Sequence, residues 1–528
     1  MRFFNTAGPV DCVRHYCLPP LHRIDLDEVL LLIEQQKYFV LHAPRQTGKT
    51  SFLLALMEYL NEQGHYRTLY VNVEGAQAAR QNVDGAIRAI LSGIATRARQ
   101  FLNDTFPEER VSELTANFAP FDALADLLST WAQHSPLPLV IFIDEIDSLV
   151  GDTLIAVLRQ LRGGYDKRPA NFPHSVILCG VRDVRDYRLH LDNDAAPITG
   201  GSAFNIKAES IRMGNFTEAE TLRLLYQHTE TTGQPFTPDA SQRIWYLTQG
   251  QPWLVNALAY ETCFKMKENR DRSLTITQEM VEQAKENLIL RRETHLDQLT
   301  DKLKEPRVRR VVEAMVQGEA LDETVSALDI EYVVDLGLVR RGTDGLVIAN
   351  PIYQEVIPRD LNFVVQIALE SIQRSAWYIA PDGLLDTGKL LAAFQDFFRQ
   401  HSEHWVERFA YKEAGPQLLL QAFLQRVVNG GGRIEREYGL GRGRTDLLIL
   451  WPGNGSGQRI VIECKIVYGS LERTIREGLA QTYGYMDRCH ASAGHLVLFD
   501  RNPQRSWDEK IFQRDEPYAN TTIRIWGM

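Results

Sequence analysis

Residues 39–50 read FVLHAPRQTGKT, and the reading of this stretch decides the fold of the 528-residue chain. The apolar run Tyr38–Leu41 has the length of a short buried strand. After Thr50, apolar residues recur at helical spacing: Phe52, Leu53, Leu56, Met57 and Leu60. Strand, glycine-bearing turn and helix in this order make a phosphate-cradling loop. Backbone N–H groups at the helix start hold phosphate oxygens, aided by the helix dipole. Lys49 is placed to neutralise the β- and γ-phosphates, and the Thr50 hydroxyl to meet Mg²⁺. The expected nucleotide contacts are Ala43, Pro44, Arg45, Gln46, Thr47, Gly48, Lys49 and Thr50. Ala43 stands where the pattern has its first glycine, and its Cβ leaves less backbone freedom. The start of the loop is therefore expected to depart slightly from the pattern. The bland alternative is a chance Gly-Lys-Thr at a helix N-terminus.

A second anchor follows at Leu139–Ile143, a continuous β-branched run of the kind a buried parallel strand requires. It ends in Asp144-Glu145. Coupled to the phosphate loop, Asp144 would hold Mg²⁺ through water, and Glu145 would orient and deprotonate the attacking water. Alone, the pair could be a helix cap together with Asp147. Further strands are expected at Thr68–Val73 and Ser175–Val181, with helices from Asp25 through Ile33 and over Val83–Leu102, Phe121–His134 and Thr153–Arg162. A γ-phosphate sensor belongs at the end of the Ser175–Val181 strand, where Arg182 is the first candidate and Asp183 and Arg185 follow. Arg159 or Arg162 could reach a neighbouring subunit's site as an arginine finger, against the alternative of solvated or ion-paired helix arginines. The lead-in Gly8–Arg23 either packs on the nucleotide base or forms a surface loop.

The length allows two to four domains, each with its own core. A formal net charge of -10 argues against a protein that coats nucleic acid through general basicity, while leaving local basic patches open. Six cysteines lack C-x-x-C spacing, which fits a reducing cytosol and neither a disulfide framework nor a zinc site. The opening MRFFNTAGPVD has no apolar signal core, and no run of about eighteen apolar residues occurs. No membrane partner and a cytoplasmic location are expected.

From Phe216 to about Leu299 the pattern is helical, opened by the capping stretch Thr217-Glu218-Ala219-Glu220. Thr248–Trp253 breaks it between two helices. With the phosphate loop and the Ile143–Glu145 strand end, this resembles the AAA-like ATPases near the STAND branch. The resemblance implies a helical lid that closes over nucleotide, with a nucleotide-sensing residue near the turn Gly250–Pro252. Next, helices at Val308–Val316, Asp322–Leu328 and Tyr332–Leu336 precede two short strands around Gly342–Gly345, the pattern of a winged helix. Asp329, Glu331 and Asp335 make its would-be recognition helix acidic. It reads mainly as an interdomain spacer, with DNA contact the lesser alternative.

The C-terminal segment carries a second chemistry. Helices span Asn362 to about Gln400 and His401–Asn429, the latter with Glu413 and Gln417. After Gly430–Gly432 comes a strand with Ile434, Glu435 and Glu437, then Asp446 leading into Leu447–Leu450. The turn Pro452–Gly457 closes a hairpin onto Ile460–Lys465. Strand periodicity puts Glu463 and Lys465 on one face, with Asp446 alongside. Asp446, Glu463 and the Cys464 carbonyl would suit Mg²⁺, which prefers oxygen. Lys465 would steady a water attacking a phosphodiester, its pKa lowered by the metal. This resembles the PD-(D/E)XK nucleases, and Gln481 and Tyr485 on the helix Leu471–Arg488 match their Q-x-x-x-Y motif. The resemblance implies that Gln481 orders the site or grips DNA. Thr445 replaces the proline expected before Asp446, and Glu413, Glu435 or Glu437 could add a ligand. Arg433, Arg436, Arg442, Arg444, Arg473 and Arg476 would contact phosphates. The alternative is an ordinary solvated sheet.

The whole chain resembles prokaryotic AAA-like ATPases with a C-terminal PD-(D/E)XK domain. That implies an α/β multidomain fold: P-loop ATPase core with a parallel sheet (1–205), helical lid (206–300), winged helix (301–360), helical linker (361–400) and restriction-endonuclease-like domain (401–528). It implies ATP and Mg²⁺ as cofactors, nucleic acid (DNA first) as partner, and homo-oligomers. The implied activity is ATP hydrolysis coupled to cleavage of phosphodiester bonds, in the service of defence against phage or mobile DNA. The alternative is an ATP-dependent regulator or DNA-binding switch that does not cut.

Overall fold

A computed structural model describes residues 2–114, 119–182, 206–291, 294–317, 325–342, 345–361, 378–380, 382–408, 420, 423–424, 432–440, 443–452, 457–467, 470–500, 502 and 505–528. The chain divides into two compact units. One comprises Met1–Val312 and Glu323–Tyr353, the other Glu313–Asp322 and Gln354–Met528.

The first unit is built on five strands: β1 (Tyr38–His42), β2 (Arg67–Asn72), β3 (Leu139–Asp144), β4 (Ser175–Gly180) and β5 (Lys207–Arg212). They lie in the order β2-β3-β4-β1-β5, all parallel. Every residue of β1, β3 and β4 is buried, which is why these strands read as unbroken apolar runs rather than alternating ones. Edge strand β5 has only Ile211 buried, so its polar sequence carried no strand signal. Helices cover both faces. On one side Lys49–Gln63 packs Phe52, Leu53 and Leu56 against Phe39 and Phe142, and on the other Val83–Leu102 packs Ile87, Leu91 and Ile94 against Val71 and Ile141. Residues 106–114 form a further helix, and Asp25 caps the helix Leu26–Glu34 by accepting from Asp27 and Glu28 N–H.

The expected helical region follows as Glu218–Thr232, Pro238–Thr248, Pro252–Tyr260 and Gln278–Leu290. Thr217 and Glu220 form a reciprocal capping box. Beyond it lie the helices Thr294–Leu303, Pro306–Gln317 and Ala327–Asp335, then a two-stranded antiparallel hairpin of β6 (Val339–Gly342) and β7 (Gly345–Ile348). The hairpin is as expected. The helix expected at Tyr332–Leu336 starts earlier, at Ala327 with Ser326 as its cap, because Asp329, Ile330 and Glu331 continue rather than break it. Of the helix expected at Asp322–Leu328, residues 322–324 lie outside the described residues.

The second unit is a six-stranded mixed sheet: β8 (Arg433–Leu440), β9 (Gly443–Trp451), β10 (Gln458–Ile466), β11 (Ala493–Phe499), β12 (Phe512–Tyr518) and β13 (Thr521–Gly527), in the order β12-β13-β11-β10-β9-β8. β10 and β11 are parallel, and the helix Leu471–Cys489 makes the crossover between them. Its Ile475, Leu479 and Met486 pack with Leu448, Val461 and Leu496 on one sheet face. The other face, with Ile449, Ile460, Ile462 and Cys464, is covered by Leu390, Leu391, Phe394 and Phe398 of the helix Thr387–Arg408. The boundary expected at 400/401 thus falls inside one helix, whose apolar stripe belongs to this core. Glu413, Gln417, Gly430, Gly431 and Arg442, and the side chains of Glu435, Arg436, Glu437, Arg444 and Asp446, lie outside what is described.

The scattered cysteines predict no disulfide, but Cys12 and Cys17 are joined in one. The other four are buried and outside disulfides. Among the described residues no helix is long and apolar enough to cross a membrane.

Candidate functional site

The phosphate loop leaves the C-terminal end of β1. Gly48 has φ +103°, a conformation L side chains rarely adopt, so the turn into the helix needs glycine there. Ala43 needs no such freedom. It is absent from the residues with positive φ, is fully buried among Phe39, Leu41 and Phe52, and bonds through its N–H to the Gly180 carbonyl at 3.3 Å. A methyl group therefore fits where the pattern has glycine. Lys49 is buried, and its Nζ donates to the carbonyls of Ala43 (2.9 Å) and Pro44 (3.0 Å). Those bonds curl the loop around the ammonium, which is the group placed to meet phosphate.

Asp144, at the end of β3, has no solvent exposure. A buried carboxylate needs hydrogen-bond partners, and donors meet both of its oxygens. Thr50 Oγ1 donates to Oδ2 at 2.7 Å, the Tyr70 hydroxyl donates to the same oxygen at 2.9 Å, and the Glu145 N–H donates to Oδ1 at 2.9 Å. An all-oxygen set of Thr50 and Asp144 fits Mg²⁺. Glu145 itself sits at φ +58° and makes no side-chain cap to the short turn Ile146–Ser148, so the helix-cap alternative for this pair does not hold. Burial, then the charges of Asp147 and Asp144, push the Glu145 carboxyl up to about 6, against the opposing pull of Lys49 and Arg45.

A cavity of about 770 Å³ opens over the loop. It is lined by Arg45–Ser51, by Tyr70 and Glu145, by the lead-in (Asn5–Val10, Tyr16–Leu18) and by Pro252, Trp253 and Asn256 of the helical region. The turn before Pro252 is shaped by close packing. Gly250 has φ +70°, and a Cβ there would stand 1.9 Å from the Phe216 carbonyl oxygen. Gln251 then caps the next helix through the Leu254 N–H, and the Trp253 indole N–H donates to Thr6 O at 2.9 Å. Arg23 ties the loop to the start of this region. Its guanidinium donates to Thr47 O (3.2 Å) and Gly214 O (2.6 Å) and lies 4.3 Å from the Phe216 ring centroid. Burial brings its pKa down to about 10, still charged at neutral pH.

Arg182, the expected sensor, follows β4 and lies 4.7 Å from the Tyr332 ring centroid. The helix Ala327–Asp335 meets the ends of two more strands. Arg212 donates to Val334 O at 2.9 Å, and His42 Nδ1 is 3.9 Å from Asp335 Oδ1. Arg159 is exposed and Arg162 partly so on their helix. Asp183 and Arg185 lie outside the described residues.

In the second unit, Lys465 Nζ stands 3.0 Å from Glu463 Oε1 on one face of β10, and Glu463 is nearly buried. The Cys464 side chain points into the opposite core, as strand alternation requires. Leu447 of β9 pairs with Ile462 of β10, and positions 446 and 463 adjoin that pair along their strands. Gln481 is exposed, about a third of a turn from the line Ile475–Leu479–Met486 that faces the sheet. Tyr485 is half-buried, and Arg473 pairs with Glu477 at 2.9 Å. Among the described residues no group of three His, Cys, Asp or Glu is placed to hold a metal ion.

Sequence reasoning missed Tyr70 and Asn256, and had Arg23 only as part of a lead-in. A tyrosine inside the strand run TLYVNV was the one available signal, since its hydroxyl needs a partner when buried.

The parallel sheet, the phosphate loop and the carboxylates at the end of β3 define a P-loop nucleotide-hydrolysing fold. The chain belongs to the AAA-like domain family, whose model matches residues 28–358. Its first unit is accordingly an AAA-like P-loop ATPase, a class that binds nucleotide, usually with Mg²⁺. Among solved structures it is similar to a Walker-type ATPase of Pyrococcus abyssi (14% identity, covering 67% of this chain and 99% of that one, TM-score 0.48). It is also similar to Cdc6p from Pyrobaculum aerophilum (19%, 65% and 93%, TM-score 0.35) and to the ORC2 protein of Aeropyrum pernix (13%, 68% and 96%, TM-score 0.34). No curated protein matches the chain.

Proposed function

We propose that this ATPase governs a Mg²⁺-dependent nuclease of the PD-(D/E)XK type housed in the C-terminal sheet, acting on nucleic acid and on DNA in the first place. The observation that carries the nuclease reading is the Glu463–Lys465 pair at 3.0 Å on one face of β10, with position 446 next to the Leu447–Ile462 pair of β9 and β10. A buried carboxylate beside an ammonium is costly to keep for stability alone. The same pair next to a second carboxylate is what phosphodiester hydrolysis uses. Asp446, Glu463 and the Cys464 carbonyl would hold Mg²⁺, which would lower the pKa of the attacking water and take up developing charge. Lys465 would orient that water and steady the charged transition state. Gln481 is proposed to hold the substrate strand.

On the ATPase side, Lys49 and the loop N–H groups bind the phosphates, and Thr50 with Asp144 would hold Mg²⁺. Glu145 accepts the proton of the attacking water. The helices and hairpin of residues 301–360 form a winged-helix-like body. Asp335 is buried beside His42, and Asp329 faces Arg310 at 3.7 Å, so these acidic residues serve internal packing and support the spacer role over DNA contact. A role in defence against phage or mobile DNA, assembly into homo-oligomers and a cytoplasmic location belong to the same proposal.

The test is cleavage of linear, plasmid and single-stranded DNA with Mg²⁺, with and without ATP, comparing wild type, Glu145→Gln and Lys465→Ala. Cutting that Lys465→Ala abolishes and Glu145→Gln alters supports the reading. Intact ATP hydrolysis with no cutting of any substrate would favour the non-cutting regulator instead.

A further inference from the structure

The Tyr70 hydroxyl serves neither strand pairing nor the phosphate loop, yet it ends on the most buried charge of the ATPase site. Tyr70 is 3% exposed in the middle of β2, beside β3, and lines the nucleotide cavity. Its hydroxyl donates to Asp144 Oδ2 at 2.9 Å, and Thr50 Oγ1 donates to the same oxygen at 2.7 Å. The Glu145 N–H holds the other oxygen. Of the two hydroxyls on Oδ2, Thr50 is itself placed to meet Mg²⁺, so Tyr70 is the hydroxyl that stays on that oxygen when Thr50 turns to the cation.

We infer that Tyr70 is a positioning residue for the nucleotide-bound Mg²⁺, holding the Asp144 carboxylate through its hydroxyl from the neighbouring strand. The inference rests on the ATPase assignment. Partners of this kind orient a metal-binding carboxylate and tune its affinity, and their loss typically costs about 10–100-fold in metal affinity or activity. A tyrosine that merely satisfied a buried carboxylate would affect stability without a specific demand on Mg²⁺.

The experiment uses the full chain and a fluorescent ADP, titrated with Mg²⁺ and, separately, in EDTA. In Tyr70→Phe the Mg²⁺ concentration for half-maximal tight binding is expected to rise about tenfold, with metal-free ADP affinity unchanged. Tyr38→Phe is the control, because the Tyr38 hydroxyl is equally buried but bonds Pro173 O at 2.9 Å, away from Asp144. It should leave the Mg²⁺ midpoint at the wild-type value. In an Asp144→Asn background, adding Tyr70→Phe should raise the Mg²⁺ requirement no further. A wild-type Mg²⁺ midpoint in Tyr70→Phe, or an equal shift in Tyr38→Phe, overturns the inference alone. Wild-type protein that binds no nucleotide overturns the ATPase assignment and this inference with it.

Discussion

The two carboxylate sites of this chain surround a buried acid by different means. In the first unit, Asp144 is held by neutral donors, two hydroxyls and a backbone N–H among them. The cation of that site, Lys49, is turned to the carbonyls of its own loop. In the second unit, the nearly buried Glu463 faces the ammonium of Lys465 two residues along its own strand. Neutral donors fix a carboxylate while leaving its charge for an incoming cation. An ion pair instead spends the charge on a neighbour, which has to give way when a metal or substrate arrives. The first arrangement fixes its carboxylate through neutral donors. The second is a polar pair on one face of β10.

Breaking that contrast should cost most at Glu145. Glu145→Gln is expected to lower kcat for ATP hydrolysis by on the order of 10²–10⁴-fold while ATP still binds, since only the proton acceptor is removed. Single-turnover hydrolysis beside an equilibrium binding assay checks both halves. In the second unit, Lys465→Ala should reduce DNA cleavage by about 10²–10³-fold. The same change leaves Glu463 short of a partner and should lower the unfolding free energy by about 1–2 kcal/mol in urea melts. A loss of stability without loss of cutting would mark Lys465 as structural.

Gly250→Ala tests whether the first site depends on its helical cover. A Cβ would meet the Phe216 carbonyl at 1.9 Å in a backbone conformation of φ +70°. A loss of about 3 kcal/mol is expected, read as a lower urea midpoint. The smallest effect is a pH dependence. The base role proposed for Glu145 requires the ionised form, and its carboxyl is pushed up to about 6. ATP hydrolysis at low substrate should therefore stand at half its plateau near pH 6 and about tenfold below it near pH 5, a limb that Glu145→Gln should lack. DNA cleavage by the second unit without ATP should not share this limb if the sites titrate independently.

Much of the first unit was legible because its signals are local. Tyr38–Thr50 and Leu139–Glu145 are unbroken stretches in which strand, turn and functional residues are neighbours in sequence, and burial on both faces leaves an apolar run that needs no partner to be recognised. Edge strand β5, polar along most of its length, gave no such run. In the second unit the pattern marked β8, β9 and β10 and the helix after them. It missed β11, β12 and β13, and it set a boundary inside the helix Thr387–Arg408, because nothing local says which core an amphipathic helix will join.

The amino-acid sequence by itself determined the phosphate loop, the Asp144-Glu145 strand end and the placement of Glu463 and Lys465 on one strand face, since spacing along a helix or strand settles each of them. Only the tertiary structure decided what those groups touch. Tyr70 reaches Asp144 from a neighbouring strand, Arg23 joins Thr47 to Gly214, and Arg182 lies over Tyr332. Each contact joins residues far apart in the chain, and sheet order and register, set by how whole faces pack, determine which of them meet.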